Sequence, residues 1–380
     1  MPEAKVFFTG THRTRTPERT WEIIEPLLPR FGVTRVADVT GLDSLGVPVA
    51  MGVRPLARLL AVSQGKGQTA VLAKVSAAME AIELWHVENV HPPVTIPATP
   101  ARDLDLPYPV SGLLSGPAAL VTDRTPVDWV DATGMVTGDV VPVPSVVVSL
   151  PDGDRPWSLP GFQWSSNGLA SGNSHAEASL HALYEIIERD AISAQSDDTP
   201  GQYVDPASIT DSHCAALIAS IGSIGATLTI ERLPSRFGVP CYRAEVFSPD
   251  FPIATGGTGA HLDAHVAVSR AITEAVQSRL TAIVGSRDDL PPIYQLVRLS
   301  VEEFVRRQGT PMPWDELART AAGPFDDIGD ELDWISRRVR EITSVEPLVA
   351  DLSTVEEFAV VRVLAPGTLI DIDRVHAPMR

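Results

Sequence analysis

Three long helical stretches, each opening after a glycine-flanked polar segment, constrain this 380-residue chain more than any other feature. The first segment, Ser63-Gln64-Gly65-Lys66-Gly67, reads as a turn before a helix over about 69–90. The second, 164–172, precedes a helix over about 175–195, and the third, 255–259, a helix over 264–284. The helices echo one another. They contain Glu80-Ala81-Ile82-Glu83, Glu185-Ile186-Ile187-Glu188 and Glu274-Ala275-Val276-Gln277. The steps between copies are too uneven for a solenoid. They suit duplicated strand–helix units packed around one site.

A Glu-x-x-Glu pair is common on a solvated helix face, and alone it says little. The neighbours change that. Helix residues are about 100° apart, so Ser76, Glu80 and Glu83 share one face, as do Glu177, Glu185 and Glu188. Around them stand Ala77, Ala78, Ala81, Ala182 and Leu183, where a solvated face would interleave Lys and Arg at i+4. Carboxylates crowded on mostly apolar helices repel unless something positive joins them. Magnesium, which takes carboxylate and phosphate oxygens, is the natural candidate. Phosphate needs donors too. Lys66, Asn173, Arg189, Arg279 and Arg287 are the candidates, with N-capping or ordinary ion pairing as the plain alternatives. No Walker or Rossmann fingerprint is present.

Bulk properties narrow the class. A length of 380 residues with 44% hydrophobic and 21% charged residues fits a globular α/β protein, as one large domain or two packed lobes. The net charge of −18 argues against a nucleic-acid partner. Cys214 and Cys241 are too few for a disulfide framework. The first ten residues lack signal-peptide character, and no run reaches the length of a membrane helix. A cytoplasmic protein without a membrane partner is expected.

Elsewhere, 36–39, 47–53 and 224–255 read as strands, 140–150 as a strand pair, 315–342 as helical and 359–364 as a strand. Pro291-Pro292 is the best candidate boundary. His261 and His265 have the spacing of a zinc pair, but no third ligand follows, and capping or structural roles suit them better.

Taken jointly, these motifs resemble those of YcaO-domain proteins. Ser165-Ser166-Asn167-Gly168-Leu169-Ala170-Ser171-Gly172-Asn173, through Glu177 to Glu185-Ile186-Ile187-Glu188-Arg189-Asp190, looks like the family's central signature. Ser63 to Glu83 resembles its first nucleotide-site motif, and Gly257 to Arg279 its third. The resemblance implies a YcaO-type α/β fold with mixed sheets and long helices around a central ATP site. It implies a segment 1–62 leading into a core 63–380, or one continuous unit. It also implies magnesium on Glu80, Glu83, Glu185 and Glu188. Ser76, Asn173, Glu177 and Arg189 would contact the nucleotide or its metals, with Lys66, Arg279, Arg287 and Arg13 as further contacts. No catalytic base is indicated. Family members use ATP to phosphorylate a backbone amide oxygen of a ribosomal precursor peptide. A nucleophile then gives an azoline, a thioamide or a macrocyclic amidine.

Two departures qualify this. The chain ends Val375-His376-Ala377-Pro378-Met379-Arg380, without the P-x-P-x-P tail of many azoline-forming members. Thr9-Gly10-Thr11-His12-Arg13 resembles the K-G-T-H-R opening of TfuA-associated or bottromycin-type members, with Thr9 where Lys is usual, so Arg13 or Arg15 would have to compensate. No separate leader-binding segment is evident. A standalone enzyme is expected, which binds its precursor peptide directly or with a TfuA-like partner and is compatible with a homodimer. The alternatives are a catalytically silent nucleotide-binding scaffold and a carboxylate-metal amidohydrolase.

Overall fold

The computed structural model describes residues 3–113, 121–150, 162, 165–195, 201–287, 300–306 and 309–371. Pro291-Pro292 and the last nine residues lie outside that set. The three long helices form where the periodicity places them, over Ala70–Asn89, His175–Ser193 and Ala264–Val284. The third starts on Asp263, whose carboxylate accepts from the amides of His265 and Val266. It ends on Gly285 in the left-handed conformation, φ 61°.

Among the described residues the glycine-flanked segments hold a turn only at Asn167-Gly168, where Gly168 has φ 77°. They are largely strands, Val62–Lys66, Leu169–Gly172 and Phe251–Ala260. The glycines serve close packing. A Cβ on Gly65 would stand 2.0 Å from the Ala77 nitrogen and 2.2 Å from the Ala73 oxygen. On Gly172 it would stand 2.4 Å from the Ala178 nitrogen, and on Gly257 2.4 Å from the Ala275 nitrogen. In each unit the helix backbone lies directly on the strand, with alanines at the contact, so only hydrogen fits between them.

The chain divides into two compact units, each drawn from separate stretches of sequence. The first unit comprises Lys5–Ile82 and the described part of Ala194–Pro324. It holds a three-stranded antiparallel sheet in the order Arg35–Asp38, Val49–Val53, Val62–Lys66. It also holds a four-stranded antiparallel sheet in the order Phe251–Ala260, Cys241–Ser248, Thr227–Leu233, Gln202–Val204. The third helix covers one face of that sheet, burying Tyr242, Ala244 and Val246 with Ala267, Ala271 and Ala275 in a single core cluster. Arg243 and Glu245 alternate with them and point to the other face.

The second unit comprises Glu83–Ser193, the described residues from Phe325 onward, and Glu3 and Ala4. Its antiparallel sheet runs Ile96–Pro100, Pro126–Gly134, Leu348–Asp351, Ala359–Leu364, Leu169–Gly172, and Val140–Pro144 also pairs with Pro126–Gly134. The second helix packs on this sheet, and the helix Ile328–Thr343 packs on the second helix. Tyr184 donates to Glu331 between those two helices. The strand Ala359–Leu364 is buried at every position.

Two expected elements differ. The pair expected over 140–150 is one strand, Val140–Pro144, followed by the short helix Ser145–Val148. The valine run suggested strand, and tertiary packing overrode that weak preference. The acidic region 315–342 is two helices, Trp314–Leu317 and Ile328–Thr343. Among the described residues, no helix is long and apolar enough to cross a membrane.

Candidate functional site

In the first unit, a polar cluster gathers around the strand Val62–Lys66. The Gln64 amide donates to Glu80 Oε2 at 3.0 Å. The Gln64 carbonyl accepts from Gln277 Nε2 at 3.3 Å, and its side-chain oxygen accepts from Thr281. Lys66 is ion-paired with Glu274. Glu80 is half-buried, and desolvation pushes its carboxyl above the ordinary range. Arg287, the Gln64 amide and Lys66 oppose that shift, while Glu274 adds to it. Glu80, Lys66 and Arg287 thus belong to one electrostatic group. Ser76 stands one turn before Glu80 on the first helix.

Arg279 and Arg13 are placed elsewhere in this unit. The Arg279 guanidinium is buried, with Nε 2.9 Å from Asp43 Oδ2, Nη1 2.7 Å from Ser248 Oγ, and its carbon 4.8 Å over the Phe251 ring. That is a structural ion pair enclosed by the sheet. Arg13 donates from Nη1 to the His12 carbonyl at 3.1 Å and lies with Lys5, His12 and His261. Both imidazoles are held neutral. Burial comes first, then the neighbouring positive charges, and His12 is lowered to about 4. His261 accepts from the Asp263 amide at 2.9 Å, and His265 Nε2 accepts from Trp314 Nε1 at 3.1 Å. The His261 and His265 spacing therefore serves capping and packing.

In the second unit, Glu83 Oε1 accepts from the Ser171 amide at 2.8 Å and from the Ser171 hydroxyl at 2.5 Å. One turn separates Glu80 from Glu83 on the first helix, and each is tied to the strand of a different repeat. Glu177 accepts from the Asn173 amide at 3.1 Å and from Asn173 Nδ2 at 2.9 Å, and its own amide donates to Ser174 Oγ at 3.2 Å. This is a variant capping box, so the capping alternative describes Ser174 and Glu177 well. Arg189 lies 3.6 Å from Glu185 and 3.1 Å from Glu188. Two residues beyond Glu188, the buried Asp190 carboxylate accepts from the Leu369 amide at 2.7 Å, and Ser193 Oγ accepts from the Asp371 amide at 2.8 Å.

Among the described residues, no three His, Cys, Asp or Glu side chains converge as a ready-made metal cluster. The candidate ligand glutamates instead interact with protein groups: Glu80 with an amide, Glu83 with an amide and a hydroxyl, and Glu185 and Glu188 with a guanidinium. Sequence reading quoted Gln64 and Ser171 in motifs taken for turns, and Glu274 and Gln277 in the repeat, without placing any of the four at the site.

Residues 64–369 match the family model described as YcaO cyclodehydratase, ATP- and Mg2+-binding. The chain belongs to the YcaO family. A Rhizobium leguminosarum bv. trifolii protein, described as an uncharacterised protein in the tfuA 3′ region, is 35% identical over 95% of this chain and 89% of its own length. The YcaO protein of Methanopyrus kandleri, bound with AMPPCP and Mg2+, superposes with a TM-score of 0.72 at 24% identity, over 96% of this chain and 94% of that one. A heterocyclase in complex with substrate and cofactor gives a TM-score of 0.78 at 20% identity. It covers 97% of this chain, which spans 54% of that longer one. The α/β architecture is thus the YcaO fold, and ATP and Mg2+ are the cofactors of this YcaO chain.

Proposed function

We propose that this YcaO protein phosphorylates a backbone amide oxygen of a ribosomally made precursor peptide and passes the activated carbon to a nucleophile. In this reading Glu80 of the first unit, and Glu83, Glu185 and Glu188 of the second, are magnesium ligands. Ser76, Lys66 and Arg287, and Asn173, Glu177 and Arg189, serve the nucleotide. Arg13 remains a candidate through its place in the cationic group with Lys5. Arg279 is assigned instead to holding the sheet, because its buried guanidinium donates to Asp43 and Ser248 and pairs with Asp250 at 3.6 Å.

The observation that carries the reading is Glu80. Its carboxyl is half-buried beside Glu274, with Lys66 and Arg287 only partly offsetting the burial. Such a group gains from a cation that brings positive charge into the cluster, and an all-oxygen donor set suits magnesium rather than zinc. When bound, Mg2+ and ATP supply the phosphoryl group and absorb the charge that develops as it moves. The chain's residues hold and orient. Gln64 fixes Glu80, Ser171 fixes Glu83, and Arg189 lies beside both glutamates of the second helix. The amide oxygen takes the phosphoryl group and ADP departs. The nucleophile then adds to the carbon and phosphate leaves.

Sulfide is the nucleophile we favour. What supports it is the relative from the tfuA 3′ region, since the Thr9–Arg13 opening resembles TfuA-associated and bottromycin-type members alike. A TfuA-like partner belongs to the same reading. The test incubates the protein, ATP, Mg2+ and candidate precursor peptide with and without sulfide. Peptide-dependent ADP release, with a mass gain from replacing oxygen by sulfur, supports thioamide formation. Loss of one water points to an azoline or amidine. ATP binding without turnover under every peptide would establish the scaffold alternative instead.

A further inference from the structure

The third of the echoed helices differs from the other two in charge. Glu274 stands where they carry Glu80 and Glu185, and Gln277 where they carry Glu83 and Glu188. This copy therefore presents one carboxylate in place of two. A cation of the chain itself meets it, because Glu274 is ion-paired with Lys66. Neighbouring contacts hold the pair in register. One turn after Glu274, Gln277 Nε2 donates to the Gln64 carbonyl at 3.3 Å, and Gln64 lies two residues before Lys66 on the same strand. On the other side, Gln68 Nε2 donates to Ser269 Oγ at 2.8 Å. The helix has no slack at Glu274, since a Cβ on Gly257 would stand 2.4 Å from the Glu274 Cβ.

The two side chains are what can move. Lys66 and Glu274 keep 23% and 30% side-chain exposure, so the pair is open to solvent. The ammonium carries its donors on a flexible four-carbon stem. Lys66 ends the strand whose Gln64 amide donates to Glu80, so the pair and a candidate ligand share one strand. A carboxylate and a phosphate on one ammonium repel each other. A phosphate therefore meets Lys66 best when Glu274 has let go, and its apparent affinity falls by the fraction of time the ammonium is free.

We propose that Glu274 is a positioning residue that acts as a stand-in for phosphate: it holds the Lys66 ammonium in the free protein and cedes it when the nucleotide arrives. This rests on reading Lys66 as a nucleotide contact. In the third copy a lysine takes the place that a metal ion has in the other two, and Glu274 weakens nucleotide binding instead of adding a ligand to magnesium. A solvent-open pair of modest strength leaves the ammonium free about a third of the time or less, so removing the carboxylate tightens binding by about threefold or more.

The test uses the full chain, Mg2+ and a non-hydrolysable ATP analogue, with two readouts. Calorimetric titration gives the affinity. Acylation of amines, mapped by mass spectrometry, gives the freedom of Lys66, and with Lys5, Lys66 and Lys74 as the chain's three lysines, Lys74 is the internal reference. Glu274→Gln is expected to bind the analogue about threefold or more tightly and, without nucleotide, to speed acylation of Lys66 but not of Lys74. The analogue slows acylation of Lys66 in parent and variant alike. If the analogue leaves Lys66 acylation unchanged in the parent, Lys66 is not a nucleotide contact and the proposal falls with that reading. If the analogue protects Lys66 but Glu274→Gln binds it equally or more weakly, the pair is a strut or Glu274 a metal ligand, and the proposal alone fails. Tighter binding without faster acylation is repulsion at a distance and overturns it too. Should Glu274→Gln not fold, Glu274→Asp, whose carboxylate reaches one methylene less far, decides. Faster Lys66 acylation together with tighter binding supports the proposal, and either alone or neither overturns it.

Discussion

Replacing Gly65 by alanine tests the packing on which the candidate site is built. The added Cβ would stand 2.0 Å from the Ala77 nitrogen and 2.2 Å from the Ala73 oxygen, where ordinary contact begins at 3.4 Å. Both obstacles are helix backbone, so no side chain can swing aside. The first helix must retreat from the strand by more than about 1 Å, and a gap of that size forfeits roughly a quarter to a half of each interfacial contact. Overpacking of this kind costs about 3 kcal/mol. At a few degrees per kcal/mol for a domain of this size, the Tm should fall by about 6–12 °C. The same retreat stretches the 3.0 Å bond from the Gln64 amide to Glu80, so Mg2+-dependent ATP use should fall as well. The assay is thermal unfolding of Gly65→Ala beside Gly222→Ala, where a Cβ meets nothing within 4 Å. The control should hold its Tm or gain slightly, since alanine narrows the unfolded ensemble. A Gly65→Ala protein that melts within about 2 °C of the parent and uses ATP normally would refute the close-packing argument.

Three further predictions follow from the charges. Arg279→Met strands Asp43 inside the first unit and should destabilise by about 3–5 kcal/mol in urea unfolding, with the ATP half-saturation of the surviving folded protein unaltered. His12 titrates at about 4 in the folded protein and near 6.5 when unfolded, so the unfolded chain binds more protons between those values. The stability it contributes is complete above about pH 6.5 and is lost as pH falls toward 4. It amounts to about 3 kcal/mol, and melting against pH should show a flatter profile for His12→Gln. Glu83→Gln and Glu185→Gln should each abolish peptide-dependent ADP release while leaving circular dichroism unchanged, and parental turnover in either would exclude that residue as a magnesium ligand.

The helices were legible because their period is local. Ala264–Val284 forms over the range that apolar spacing indicates, and the Glu-x-x-Glu faces follow directly from the helical repeat. The strands before them were not. Ser63-Gln64-Gly65-Lys66-Gly67 has the composition of a turn, and only the tertiary approach of Ala73 and Ala77 explains why a strand there needs glycine. The same limit hid half of the site chemistry. Glu80 was visible as a carboxylate on a helix, but that a Gln64 amide holds it is a property of strand register. Arg279 shows the opposite failure. It lies in a family motif and looks like a phosphate contact, yet Asp43, far away in sequence, claims it.

The end of the described chain has a practical side. Leu369 and Asp371 are fastened through their amides to Asp190 and Ser193 on the second helix, directly after Glu188 and Arg189. Whatever follows residue 371 starts its course from the flank of that helix. A reporter joined directly after residue 371 therefore starts beside the helix that carries the candidate ligands Glu185 and Glu188. Where along the chain a reporter is joined becomes part of the design of any binding measurement.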